Sequence, residues 1–304
     1  MAASSSAADP EPGDVNGPRG SVKTPRVAFA AHGVFERAAR LSIAGVPRYS
    51  RFMMRPEVIA AWLRQKVSAA SAKGLVVGLS GGIDSAVVAR LCQLATPGAA
   101  LGVLLPCHSD PCDEQDARAV AEHFKLPTVA VPLEDAFDAL SRVVTTAVTE
   151  SAGQLSIAEP RRDDMRAKMP IANMKPRLRM TALYFIANRF NYLVAGTGNR
   201  CELAIGYYTK YGDGGADLLP LGNLLKSEVR ALAREFGVPA RVIDKPPSAG
   251  LWLGQTDEGE MGFSYAELES YLERGAEAVA PAVAMRIERL MRASEHKRQM
   301  PPTP

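Results

Sequence analysis

The chain has 304 residues, 47% of them apolar and 23% charged, a balance that suits a soluble fold large enough for one α/β domain with appendages. A formal net charge of +3 is too small to mark a nucleic-acid binder and suits phosphate-bearing small molecules equally well. No apolar run approaches the roughly 20 residues of a membrane span, and no basic segment followed by an apolar core marks a secretory leader, so a cytoplasmic protein without membrane contact is expected.

Met1 to about Pro25 is built from Ala, Ser, Pro, Gly and Asp with almost nothing to bury, which predicts disorder. Arg26–Arg51 is more apolar but carries no motif. The first amphipathic helix follows Met53 and Met54, with Ile59, Leu63 and Val67 at helical spacing. We therefore expect residues 1–52 to be a dispensable extension and residues 53–304 to form the functional domain. A chain begun at Met54 that failed to fold or lost activity would refute this.

The organising stretch comes next. Leu75–Leu79 is a short apolar run, Ser80-Gly81-Gly82 a turn, and Ile83-Asp84-Ser85 the start of a helical pattern. A strand–loop–helix of this kind points backbone N–H groups and a helix N-terminus at one anion. Gly81 and Gly82 let the backbone approach a phosphate, Ser80 and Ser85 add hydroxyls, and Asp84 offers a hard oxygen to a phosphate-bound Mg²⁺. The loop is no Walker A motif, since it lacks that spacing and has no lysine.

Further apolar runs at Leu101–Leu105, Thr128–Val131 and Tyr192–Ala195 read as strands, with helical patterns at Ala86–Leu94, Glu114–Phe124 and Ala136–Val148. This alternation predicts an α/β fold: a doubly wound parallel sheet flanked by helices, Rossmann-like, with ligands beyond the strands' C-terminal ends. Thr197-Gly198-Asn199 then lies at the same sheet edge as Ser80–Ser85. Cys92, Cys107, Cys112 and Cys201 are irregularly spaced, and no second Cys/His pair follows Cys107-His108 to make a zinc site, so free thiols are expected. Gly153–Met169 is polar and aperiodic and reads as a mobile surface segment, and a long helix is expected from about Pro176. Arg177 and Arg179 then fall in its first turn, against the helix dipole; an anionic ligand and a solvated pair both remain open.

Gly206–Asp217 is a dense glycine loop with Lys210 and Asp213. Glu202 is a second carboxylate near the sheet edge, able to share a Mg²⁺–triphosphate with Asp84. Lys226 lies in a helix expected over Leu224–Phe236, stopped by Gly237 and Pro239. Lys245–Glu258 has no periodicity and reads as a lid or binding loop. Ser264-Tyr265-Ala266-Glu267 is a capping box, and a helix runs on to Glu295 before His296-Lys297-Arg298, which as pattern alone is a solvated basic tail.

Ser80–Ser85 resembles the signature loop of the ATP pyrophosphatases, which split ATP between the α and β phosphates. Together with Thr209–Asp217, Gly250–Glu258 and His296–Arg298, nearly everything after Met54 resembles ammonia-dependent NAD synthetase. The resemblance implies that Gly78, Leu79, Ser80, Gly81, Gly82, Ile83, Asp84 and Ser85 bind the co-substrate ATP, with Thr197, Lys226 and Ser248 completing that site. It implies Asp84 and Glu202 as magnesium ligands, and Arg177, Lys210, Asp217, His296 and Lys297 as contacts to deamido-NAD. It also implies a homodimer in which some of these residues act in trans. Asp213 is expected to receive ammonium and help remove its proton, and Gly254–Gly262 with Asp213–Gly215 to close over the adenylate. Cys201 stands where the family usually has serine, a small polar-to-thiol change beside Glu202 that puts little in doubt and leaves only its sensitivity to oxidation open. No segment is long enough for a glutamine amidohydrolase, so ammonia is taken directly or from a separate partner. The rival readings are another adenylating or tRNA-modifying ATP pyrophosphatase, and a nucleotide-binding regulator without catalysis.

Overall fold

A computed structural model describes residues 55–155, 165–252 and 254–303; the extension before Arg55 and the middle of the expected mobile segment lie outside the described residues. In chain order, α1 (Pro56–Ala69), β1 (Gly74–Leu79), α2 (Ile83–Ala95), β2 (Ala100–Leu104), α3 (Pro111–Phe124) and β3 (Thr128–Ala130) build the first half. Next come α4 (Glu134–Leu155), α5 (Met165–Ala172), α6 (Met174–Phe190), β4 (Tyr192–Val194) and α7 (Arg200–Ile205). The chain ends with α8 (Lys226–Glu235), α9 (Ala240–Ile243), α10 (Asp257–Met261), α11 (Tyr265–Arg274), α12 (Pro281–Ala293) and α13 (Glu295–Arg298).

The sheet is parallel throughout, in the order β3-β2-β1-β4. The chain steps outward from β1 to β3 and then returns past β1 to place β4 on its other side. The direction of winding therefore reverses between β1 and β4, and a crevice opens beyond the strand ends at such a reversal. Alternation along β1 feeds two cores. Leu75, Val77 and Leu79 pack with α1, α2, α3 and α8, whereas Val76 joins Val103, Leu105 and residues of α6 on the opposite face. α2 buries Ile83, Ala86, Val87, Val88, Ala89, Leu91 and Cys92, because α1, α8 and the sheet all press on it.

Several boundaries differ from those expected. α3 starts three residues before Glu114, because Asp110 accepts a hydrogen bond from Cys112 N (2.9 Å) and Pro111 suits the first position. α4 runs on to Leu155 and α5 begins at Met165, so the two ends of the segment expected to be irregular are helical. α6 begins at Met174, which makes Pro176 its third residue, still among the positions whose N–H has no acceptor within the helix.

A third core, formed by Cys201, Ile205, Leu225, Met261, Phe263, Tyr265, Leu268 and Ile287, gathers the C-terminal helices against α7. It also corrects the reading of the basic terminus as solvated. Lys297 Nζ donates to Gly206 O (2.7 Å) and Tyr208 O (2.6 Å). Arg298 Nη1 donates to Leu203 O (3.2 Å) and Ala204 O (3.1 Å), two carbonyls at the end of α7 that lack helical partners. Arg298→Ala is expected to lower the unfolding free energy by about 1–3 kcal/mol, read from urea denaturation.

Candidate active site

Asp84 is the second residue of α2, beyond β1, and Glu202 the third residue of α7, beyond β4, so they flank the crevice from its two sides. Lys226, the first residue of α8, reaches between them. Its Nζ is 2.5 Å from Asp84 Oδ2 and 3.5 Å from Glu202 Oε1. Asn199 Nδ2 donates to the other Asp84 oxygen at 2.9 Å. Asp84 and Glu202 thus face each other across one lysine. Burial and then the Asp84 charge push the Glu202 carboxyl up to about 8, against the pull of Lys226 and the Asn199 N–H. Burial works to lower Lys226, but Asp84 and Glu202 outweigh it and hold the ammonium charged. A lysine at a helix N-terminus opposes the dipole, and the two carboxylates supply the offset.

Ser80–Ser85 closes on itself beside this trio. Ser85 Oγ donates to Gly82 O (2.9 Å) and accepts from Ser80 N (3.3 Å), so this buried hydroxyl shapes the turn. Gly81 sits at φ +77°, where a Cβ would lie 2.2 Å from Asp113 O. Asp113 is in turn paired with Lys245 (2.6 Å), which also holds Asp116 (2.8 Å). Gly78 and Leu79 end β1 and Ile83 is buried at the start of α2. Thr197 lies half-buried in the loop after β4. Ser248 is exposed, and its hydroxyl accepts from Gly250 N (3.1 Å) within its own turn.

The residues expected to meet deamido-NAD divide. Arg177 donates to Lys210 O (3.4 Å), and Lys210 Nζ to His296 O (2.5 Å), so Arg177, Lys210, His296 and Lys297 form one basic patch where α6, the glycine loop and α13 meet. Asp217 does other work: it accepts from Val194 N (2.8 Å) and Tyr184 OH (3.1 Å), tying the glycine loop to the end of β4. Asp213 accepts from Thr209 N (2.9 Å). Surrounding protein raises its carboxyl although the residue keeps an open surface, while Thr209 N–H, Lys297 and Arg179 act the other way. Arg179 is no partner of Arg177 in solvent, for it donates to Leu105 O (3.0 Å) and Ser109 Oγ (2.9 Å).

Sequence reasoning missed four residues. Asn199 forms a capping box with Glu202, which the Asn-x-x-Glu spacing could have shown. Lys175 is buried and donates to His108 O (3.2 Å) and Leu251 O (3.1 Å), binding the Lys245–Glu258 stretch to the β2 exit; nothing in its spacing signals this. Tyr265 OH donates to Asp257 Oδ2 (2.8 Å) and lies 3.5 Å from Glu202 Oε1, while Lys226 Nζ lies 5.1 Å from the Tyr265 ring centre. Asp257 and Tyr265 thus join the Asp84–Glu202–Lys226 trio. Cys201 is wholly buried and burial pushes its thiol up to about 12, away from the reactive thiolate.

Comparison with known proteins agrees with this geometry. The NAD synthase family model matches residues 56–301. The NH(3)-dependent NAD(+) synthetase of Carboxydothermus hydrogenoformans is 50% identical over 250 residues, covering 82% of this chain and 96% of that protein. That of Syntrophomonas wolfei is 46% identical over 253 residues, covering 82% and 96%. Among solved structures, NMN synthetase from Francisella tularensis superposes with a TM-score of 0.71 at 37% identity, covering 82% of this chain and 96% of that one. NAD+ synthetase from Burkholderia pseudomallei gives 0.64 at 29%, covering 88% and 96%. A parallel sheet reversing between β1 and β4, two acids sharing a lysine at that reversal, and kinship along almost the whole of these relatives lead to one conclusion: the chain belongs to the NAD synthase family.

Proposed function

We propose that the chain makes NAD by ATP-dependent amidation of deamido-NAD with ammonia, releasing AMP and pyrophosphate. The observation that carries this reading is the convergence of Asp84, Glu202 and Lys226 beside the Ser80–Ser85 loop, in a chain half identical to a named ammonia-dependent NAD synthetase. The nicotinate carboxylate attacks the α-phosphorus, forming an O–P bond as the α–β anhydride bond breaks and pyrophosphate leaves. Ammonia then attacks the acyl carbon of this mixed anhydride, and AMP departs with the C–O electron pair.

The protein's part is to hold two anions together and neutralise the departing one. Gly78–Ser85 offers backbone N–H groups to the phosphates, Lys226 a charge, and Thr197 and Ser248 complete the ATP site. The basic patch of Arg177, Lys210, His296 and Lys297 receives deamido-NAD, with Asp217 holding the loop beneath it. Asp213 orders that same loop by accepting from Thr209 N. Among the described residues no third His, Cys, Asp or Glu converges to make a closed metal cage. Two hard carboxylates with the rest left to phosphate and water fit Mg²⁺, so Asp84 and Glu202 would hold it. When bound, magnesium supplies charge neutralisation at the phosphates.

A second reading is favoured by the likeness to the NMN synthetase of Francisella tularensis, 37% identical to this chain: the acid amidated would be nicotinate mononucleotide. Pyrophosphate release, measured with each acid in turn, is expected to depend on ammonium and to favour deamido-NAD in kcat/KM. A preference for the mononucleotide supports the second reading, and release that needs neither acid nor ammonium sinks both.

We assign the protein a homodimeric state. Leu140, Val143, Val144 and Val148 form an exposed apolar stripe on α4, and Phe185 is 73% exposed on the adjoining α6, apolar surface of the kind an interface covers. Val143→Glu is expected to halve the mass seen by light scattering after gel filtration. No described helix is long and apolar enough to cross a membrane, and a cytoplasmic location suits an enzyme drawing on ATP and bearing free thiols. We further propose that the fold and activity reside from Met54 onward, as the family match from residue 56 supports.

A further inference from the structure

Asp257 is only 4% exposed, yet its Oδ1 has no hydrogen-bond partner among the described residues. Its other oxygen takes the Tyr265 hydroxyl, which stands between it and Glu202. Leaving a buried carboxylate oxygen bare is costly unless a ligand completes it. Burial accordingly raises the Asp257 carboxyl, with Tyr265, Lys226 and the neighbouring Tyr207 hydroxyl, whose proton goes to Glu260, acting against the shift. Lys226 is committed to Asp84 and Glu202, and among the described residues neither Asp257 nor the nearby Glu260 has an ion pair. Glu260 is satisfied instead by Tyr207 OH (2.5 Å) and Gln255 Nε2 (3.0 Å). The orphan oxygen therefore waits for a small cation carrying hydrogen. ATP and deamido-NAD are anions and are repelled by it. A magnesium ion wants several hard oxygens, and Asp257 has one to spare.

We propose that Asp257 is the seat of the ammonium co-substrate, with Tyr265 fixing its carboxylate and Oδ1 receiving the nitrogen. This deepens the amidation reading and rests on it. An N–H bond of ammonium breaks as Oδ1 takes the proton, and the lone pair so released forms the C–N bond to the adenylated carboxyl. The C–O bond to AMP then breaks, AMP keeps that electron pair, and a second nitrogen proton leaves with the phosphate. Asp213, expected from the sequence to play this part, is turned toward Thr209 N and the basic patch.

Asp257→Asn in the full-length enzyme tests the assignment, because it keeps the shape and the Tyr265 contact while removing the charge. The KM for ammonium is expected to rise about 10- to 100-fold, the loss of one charge-assisted hydrogen bond. Deamido-NAD-dependent pyrophosphate–ATP exchange without ammonium is expected to change by a much smaller factor than the ammonium KM. Hydroxylamine, uncharged at mildly alkaline pH, is expected to yield hydroxamate with a KM raised far less than that for ammonium. An unchanged ammonium KM overturns the proposal. So do an exchange reaction that falls as far as the ammonium KM rises, an unfolded variant (Asp257 is then structural), or an ammonium KM that responds to Asp213→Asn and not to Asp257→Asn. Wild-type enzyme that shows no deamido-NAD-dependent exchange refutes the amidation reading instead, and the two failures are thereby told apart.

Discussion

Lys226→Met is expected to lower kcat by at least about 100-fold, since a preorganised charge aimed at developing negative charge is worth roughly that much or more. It should also destabilise the fold. Lys226 is 2% exposed and the sole ion-pair partner of Asp84 and Glu202 among the described residues. Its loss leaves two largely buried carboxylates facing each other, and breaking a buried pair in this way costs about 3–5 kcal/mol. The pH dependence has a definite sign. Burial and the Asp84 charge already push the Glu202 carboxyl up to about 8 from 4.5, and without Lys226 it is pushed higher still. Between these values the folded variant binds more protons than the unfolded chain, so its stability rises as pH falls. Wild type gains stability in the same way below pH near 8, so the urea midpoints of wild type and Lys226→Met should converge as pH is lowered toward 8 from above, where only the variant's Glu202 has already taken up its proton. Parallel midpoints across that range would show that Lys226 is not what neutralises the pair.

Gly81→Ala carries the second large effect. Gly81 has φ +77°, a left-handed conformation that costs a residue with a Cβ about 1–2 kcal/mol. The added carbon would also meet Asp113 O at 2.2 Å, a backbone atom that cannot swing aside. Asp113 is held by Lys245 at 2.6 Å, so relief requires the phosphate loop itself to move. We expect a loss of about 2–4 kcal/mol in stability together with a higher KM for ATP, measured in the exchange reaction. Gly82→Ala is the instructive comparison. Its φ is −92° and the nearest atom to a new Cβ is Ser80 Oγ at 3.3 Å, a rotatable hydroxyl, so its stability cost should be well under that of Gly81→Ala. Equal losses at the two positions would mean the loop is not braced against α3.

Much of this was legible in the sequence because it is carried by short-range regularities. Alternating apolar residues marked β1 and its neighbours, and the helical spacing of Ile59, Leu63 and Val67 marked α1, since side-chain period depends only on local geometry. Ser80–Ser85 announced an anion loop for the same reason: glycine freedom and a helix start are local properties. The β–α alternation also put Asp84 and Glu202 at one sheet edge, able to share a metal-bound triphosphate. What no spacing in the chain contains is Lys226 reaching between them, because that depends on α8 packing against α2 in space.

The basic terminus shows the same limit. His296-Lys297-Arg298 looks solvated until the carbonyls of α7 are brought beneath it. Residue type and period determined which elements form and what chemistry the loop can do. Only the tertiary fold decided which charges share a pocket and left Asp257 buried with one oxygen unanswered, because burial and electrostatics depend on distance in space and not on separation along the chain.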